Sequence, residues 1–132
     1  QLIAHLFGDY ILQSDWMANN KTSKSFACFC HVLTYGIPFY LFGASWLALF
    51  VIVATHFVID RWRLAKYVVF VKNFFHPGLV TADPEFVGKF GWENCKANGY
   101  PSETPVWLST WLMIIADNTL HLTINFFALK YL

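Results

Sequence analysis

Val32–Ile59 reads VLTYGIPFYLFGASWLALFVIVATHFVI and contains no Asp, Glu, Lys or Arg. One bilayer crossing needs only ~20 apolar residues, so the stretch is too long for a single helix. Gly36, Pro38 and Gly43-Ala44-Ser45 punctuate it, which predicts a helix over about 25–42, a tight turn, and another helix over about 45–73. Further along, Val106 to Ala128 is also of crossing length; Asp117 is its only charge, and Pro105 stands where a helix start tolerates proline. Gln1 to Trp16 is shorter and apolar apart from His5, Asp9 and Asp15, and predicts a first helix over about 2–16. The expected fold class is therefore all-α: one membrane domain over 1–132, built as a four-helix transmembrane bundle whose last helix covers about 106–130. Between the third and fourth helices, His76-Pro77-Gly78, Pro84, Gly88, Gly91, Asn98-Gly99 and Pro101 predict a cytoplasmic loop or small subdomain over about 76–104.

Composition points the same way. The chain is 57% hydrophobic and 20% aromatic but only 13% charged, against roughly 45–50% apolar and about 25% charged in soluble domains. Lipid is the expected solvent. Eight of the nine basic residues lie on one side of this arrangement: Lys21, Lys24, Arg61, Arg63, Lys66, Lys72, Lys89 and Lys96, with only Lys130 opposite. By the positive-inside rule that side is cytoplasmic, which puts the Gly43 turn and the C-terminus on the far face. The net charge of +1 is uninformative by itself, since charge in a membrane protein matters by position, and no nucleic-acid surface is read in the sequence. Cys28, Cys30 and Cys95 lack the spacing of a zinc ligand pair and read as inert thiols. The chain starts at Gln1 without a Met, so further N-terminal residues are expected before it.

Three of the five aspartates have a histidine four residues away: His5 with Asp9, His56 with Asp60, and Asp117 with His121. On a helix that spacing puts both side chains on one face. A charge in hydrocarbon costs roughly 2.5–3.5 kcal/mol even on the lenient insertion scale, so the pairs are expected to point inward together. His31 in the second helix adds a further donor. Counted from the cytoplasmic ends, Asp9, His31, His56 and Asp117 lie roughly 9–17 Å deep at 1.5 Å per residue, with His5 and His121 deeper and Asp60 shallower. His5, Asp9, His31, His56, Asp60, Asp117 and His121 are thus the candidate metal ligands. Imidazole with carboxylate suits zinc, with manganese or iron as alternatives, and seven donors allow one or two ions. Such ions activate water and hold phosphate or ester oxygens during hydrolysis. Two other readings stay open: hydrogen-bonded struts between helices, and a proton relay.

Weaker candidates for substrate contact are Asp15, Arg61, Arg63 and Asn118. Asp15 sits in a segment that an interfacial Trp16 and a capping Asn explain equally, and the two arginines also serve as cytoplasmic anchors. Trp46, Trp62, Trp107 and Trp111 fit an interface belt, and His76 reads as an exposed histidine.

The opening His5-Leu6-Phe7-Gly8-Asp9-Tyr10-Ile11-Leu12-Gln13-Ser14-Asp15-Trp16-Met17-Ala18-Asn19-Asn20-Lys21 resembles a family of small bacterial and phage membrane proteins known only as a domain of unknown function, with the pattern HLxGDFxLQxDWMAxNK. His31, the stretch His56-Phe57-Val58-Ile59-Asp60-Arg61, and Asp117 with His121 are similar to its later features, although Asn118 stands where the family has Gln. More remotely, the chain resembles bacterial membrane-bound metal-dependent hydrolases. That resemblance implies a divalent metal and a hydrolytic reaction, for which a lipid-linked phosphate or ester at the cytoplasmic leaflet is the natural substrate. The alternative is a non-catalytic membrane protein, with a structural or ion-conducting cluster, that binds a partner membrane complex or its own copies.

Overall fold

The computed structural model describes residues 1–75, 90–93 and 95–132, and every regular element among them is a helix. They fall into two compact units, one of residues 1–63 with 119–132 and one of residues 64–118.

The first unit opens with α1 (Leu2–Leu6), which passes directly into a wider π-helical turn over Phe7–Ile11. Ser14 then takes extended backbone, and its Oγ accepts the Met17 N–H at 3.3 Å to start α2 (Asp15–Asn20). The unbroken helix expected over 2–16 is therefore two short ones, because a Ser side chain competes for a backbone donor and caps a new helix. α3 (Ser25–Leu41) ends at Gly43, whose φ of +83° suits a residue without Cβ. There the Ala44 N–H turns back onto Phe39 O at 3.1 Å. Ser45 Oγ accepts the Ala48 N–H at 3.1 Å and starts α4 (Trp46–Trp62). Arg63 closes α4 in the left-handed region (φ 49°, ψ 50°) with its N–H on Asp60 O, and α5 (Ala65–Phe74) starts anew. The single helix expected over 45–73 is thus also two; a left-handed arginine leaves no trace in an apolar pattern.

Residues spaced three or four apart form the buried stripes of this unit: Cys28, His31, Tyr35 and Phe39 on α3, and Ala48, Ile52, His56 and Asp60 on α4. Ala4, His5, Gly8 and Asp9 are buried on the first helix, and His121, Asn125 and Ala128 on the end of α6 (Val106–Tyr131). Such spacing keeps a single helix face inward. Toward the Gly43 turn the stripes are apolar, packing Ala4, Tyr35, Phe39, Ala48, Ile52 and Ala128 together. Toward the other end they become His and Asp. Gly8 lets the π turn approach α3, since a Cβ there would stand 2.5 Å from Tyr35 Cδ2 and 3.1 Å from its Cα.

Among the described residues, only α6, with 26 residues, is long and apolar enough to cross a membrane. α3 and α4 have 17 residues each, about 25 Å at 1.5 Å per residue, short of a hydrocarbon core of about 30 Å. Helix length therefore does not carry the expected four crossings, because the breaks at Gly43 and Arg63 shorten what the sequence shows as continuous apolar runs. The outward faces of α3 and α4 are nonetheless apolar, with Phe26, Phe29, Leu33, Ile37, Leu41, Leu47 and Phe50 all exposed.

The second unit holds α5, described residues between 90 and 105, and the start of α6 through Asn118. Tyr67 stacks on Trp92 with centroids 5.0 Å apart, and Lys72 Nζ donates to the Tyr100 hydroxyl at 3.1 Å. Gly99, at φ +81°, lies against the α5 backbone at Lys66 and Phe70, where a side chain has no room. Residues 76–89 and 94 of the expected loop, His76 included, lie outside the described residues.

Candidate metal centre

Four buried side chains of the first unit turn donor atoms toward one another: Asp9 from the π turn, His31 from α3, and His56 and Asp60 from α4. None is more than 7% exposed. The two imidazole Nε2 atoms lie 3.0 Å apart. Asp9 Oδ1 is 3.2 Å from His31 Nε2 and 3.3 Å from His56 Nε2, and Asp60 Oδ2 is 3.2 Å from each. Neither carboxylate oxygen accepts a hydrogen bond of ordinary angle despite these distances. Four lone-pair atoms this close cannot all be satisfied by the one or two protons that imidazoles supply. A single cation at their centre satisfies them together. Five of the six separations run from 3.0 to 3.3 Å and all four atoms lie within 4.8 Å of one another; donors bonded to one zinc at about 2.0–2.1 Å stand roughly 3.3–3.4 Å apart. The cluster can hold a metal ion.

The outer carboxylate oxygens are also engaged. His121 Nε2 reaches Asp60 Oδ1 at 3.2 Å, and His5 Nδ1 lies 3.5 Å from Asp9 Oδ2. His5 Nδ1 also meets the Tyr35 hydroxyl at 2.9 Å, which in turn accepts from Asn125 Nδ2 at 2.7 Å. A chain of contacts thus runs from α6 through α3 and α1 to the Asp9 carboxylate, the kind of support that orients metal ligands and tunes their affinity. The imidazoles of His31 and His56 are held differently. Their Nδ1 atoms are buried with no hydrogen-bond partner among the described residues, and packing fixes the His56 ring instead. It is sandwiched between Tyr35 at 3.7 Å and His121 at 4.0 Å, with planes within 27° of parallel.

Lys21 comes to the same place from the turn after α2. Its Nζ lies 2.7 Å from Asp60 Oδ2 and 3.5 Å from His31 Nε2. Arg61 fixes that turn, donating from Nη1 to Thr22 O at 2.6 Å and from Nε to Ser25 Oγ at 3.1 Å.

Of the seven ligands expected from sequence, Asp9, His31, His56 and Asp60 bring donor atoms together, while His5 and His121 stand behind the carboxylates. Asp117 is half-buried on α6 in the second unit, as is Asn118. Among the weaker candidates, exposed Asp15 accepts from Asn19 Nδ2 at 2.8 Å, Arg61 braces the turn, and Arg63 is an exposed helix cap. Sequence reasoning passed over Lys21, Tyr35, Asn125 and Gly8 as parts of the site. Tyr35 and Asn125 follow His31 and His121 by four residues, so extending the stripes by one turn finds both. Lys21 closes the opening motif and was read only as a charge.

A family model described as Protein of unknown function (DUF3307) matches residues 1–80, which contain all four converging donors and Lys21. Neither curated proteins nor solved structures give a match.

Proposed function

The chain belongs to the DUF3307 family of unknown function, and we propose that it is a membrane-embedded metalloprotein whose Asp9, His31, His56 and Asp60 hold one divalent transition ion for hydrolysis. The observation that carries this reading is the convergence of four buried donors, all within 4.8 Å of one another and five of their six separations at 3.0–3.3 Å. Two neutral imidazoles and two carboxylates suit zinc first, then manganese or iron. A bound ion would supply Lewis acidity toward a phosphoryl or carbonyl oxygen where its coordination expands beyond the four protein donors. The chain's own residues hold the carboxylates in register through His5 and His121 and keep the surroundings dry through Tyr35 and Ile52, both fully buried.

The membrane part of the reading rests on the long apolar α6 and on the exposed apolar faces of α3 and α4. Lys21, Lys24, Arg61 and Arg63 gather where Arg61 meets the 22–25 turn, whereas Ser45 and Leu132, joined at 2.9 Å, mark the opposite end of the first unit. The positive-inside rule then assigns the basic end, and the site beside it, to the cytoplasmic leaflet of a bacterial inner membrane. A phosphate or ester carried by a lipid-like molecule is the substrate class that reaches such a site.

A second reading has its own support: Lys21 at 2.7 Å from Asp60 Oδ2 supplies a cation from the protein itself, as a structural or proton-conducting network requires. Elemental analysis of detergent-purified protein separates the two. The metal reading expects a bound transition ion that is lost in His56→Ala and Asp60→Ala; equal metal content in all three proteins, or none in the parent, leaves the network. Hydrolysis of a generic phosphodiester that stops on chelation and in His56→Ala supports the enzyme, and metal without such activity removes it. Extraction of the chain by an alkaline carbonate wash would remove the membrane claim.

A further inference from the structure

Resting on the metal reading just given, the charges around the cluster point to what else the site takes. Two carboxylates and a divalent ion balance one another. Lys21 adds a further positive charge against the same donors, 2.7 Å from Asp60 Oδ2 and 3.5 Å from His31 Nε2. A centre that only stores an ion is weakened by an ammonium at its edge, since like charges repel. A centre that pairs an ion with an anionic oxygen gains from it.

Lys21 is also placed for that purpose. Its turn is held by the two Arg61 hydrogen bonds. Its side chain is 19% exposed, whereas that of its partner Asp60 is 2% exposed, so Lys21 is the partner that solvent reaches. We infer that Lys21 and the ion together form a receptor for a phosphoryl group, one terminal oxygen facing the ion and a second accepting from Lys21 Nζ. A tetrahedral phosphate offers several charged oxygens to two neighbouring cations. A neutral carboxylic ester offers one uncharged carbonyl oxygen and makes no use of the lysine. The substrate class is therefore a compound with a terminal phosphate, either water-soluble or the headgroup of a lipid.

Cobalt(II) makes the test visible, because its absorption bands report both occupancy and a change of ligand. Detergent-purified protein is loaded with Co²⁺ and titrated in separate arms with inorganic phosphate and with detergent-dispersed phosphatidate. A saturable spectral change with either one supports the receptor, and the arm that responds identifies a soluble or a lipid source. No change in either arm, with Co²⁺ bound, overturns it. Lys21→Ala is expected to bind Co²⁺ as tightly as the parent or more so, and to bind the phosphate roughly tenfold or more weakly, the loss of one charge-assisted hydrogen bond. Lys21→Arg should keep most of the affinity. Undiminished phosphate binding by Lys21→Ala also overturns the inference. Failure of the parent to bind Co²⁺ at all is the distinct result that removes the metal reading and this receptor with it.

Discussion

Loading the protein with Zn²⁺ and recording its X-ray absorption fine structure tests the site most directly, because the geometry fixes the answer in advance. The five known edges among the four donors run from 3.0 to 3.3 Å. Zinc at about 2.0–2.1 Å from each donor asks for edges near 3.3–3.4 Å in a regular tetrahedron, so these five edges have to open by only ~0.1–0.3 Å. The expected spectrum has four nitrogen or oxygen neighbours at about 2.0 Å and the outer-shell scattering of two imidazoles, from His31 and His56. It has no sulfur at about 2.3 Å, since Cys28 Sγ is directed at Phe57 O, 3.6 Å away, on the buried side of α3. His56→Ala should remove half of the imidazole scattering. A sulfur shell, an all-oxygen six-coordinate shell, or an imidazole signal unchanged in His56→Ala would refute the assignment of these four donors.

Three further outcomes follow from residues around the ligands. His121→Gln removes the ring nitrogen 3.2 Å from Asp60 Oδ1; zinc affinity in a chelator competition should drop by about 10–100-fold with the coordination shell unchanged. Gly8→Ala places a methyl 2.5 Å from Tyr35 Cδ2 and should lower stability by about 1–3 kcal/mol in denaturant unfolding, as overpacking does; an unshifted midpoint would mean that the π turn and α3 are not this close. Asn125→Leu takes away the donor to the Tyr35 hydroxyl at 2.7 Å and should cost about 1–3 kcal/mol of stability by the same measurement, with a smaller loss when Tyr35→Phe is already present.

The pairing of residues four apart was legible because helix geometry makes it a statement about faces. His56 and Asp60 share a face as the spacing required, and the same rule applied from His31 and His121 reaches Tyr35 and Asn125. Spacing gives a face but not a reach. His5 and Asp9 share a face, yet the π turn after Leu6 sends Asp9 inward to the donors and leaves His5 between its carboxylate and Tyr35. The helix breaks were hidden for a different reason. Ser14 and Arg63 interrupt helices through a side-chain cap and a left-handed backbone, neither of which alters the apolar pattern. Lys21 was out of reach altogether, since what brings it to Asp60 is a turn held by Arg61, whose partners lie 39 and 36 residues away in the chain.

The placement of charge in the first unit also bears on why such a cluster persists inside an apolar bundle. Asp9 and Asp60 are both buried, and removing a carboxylate from water costs several kcal/mol that only matched cations or hydrogen bonds offset. Lys21 answers one of the two charges, directly at Asp60 Oδ2. Asp9 has imidazoles as its close neighbours, His31, His56 and His5, and an imidazole balances a carboxylate only when it carries a proton. If one of the three is protonated, the network closes on itself; if an ion is bound, all three stay neutral and the same geometry becomes a ligand set. The two states therefore differ by proton release on metal binding. Titrating unbuffered protein with Zn²⁺ should release about one proton per ion bound. Zinc binding without proton release would show that none of these imidazoles carries the balancing proton and that Asp9 is balanced by some other cation.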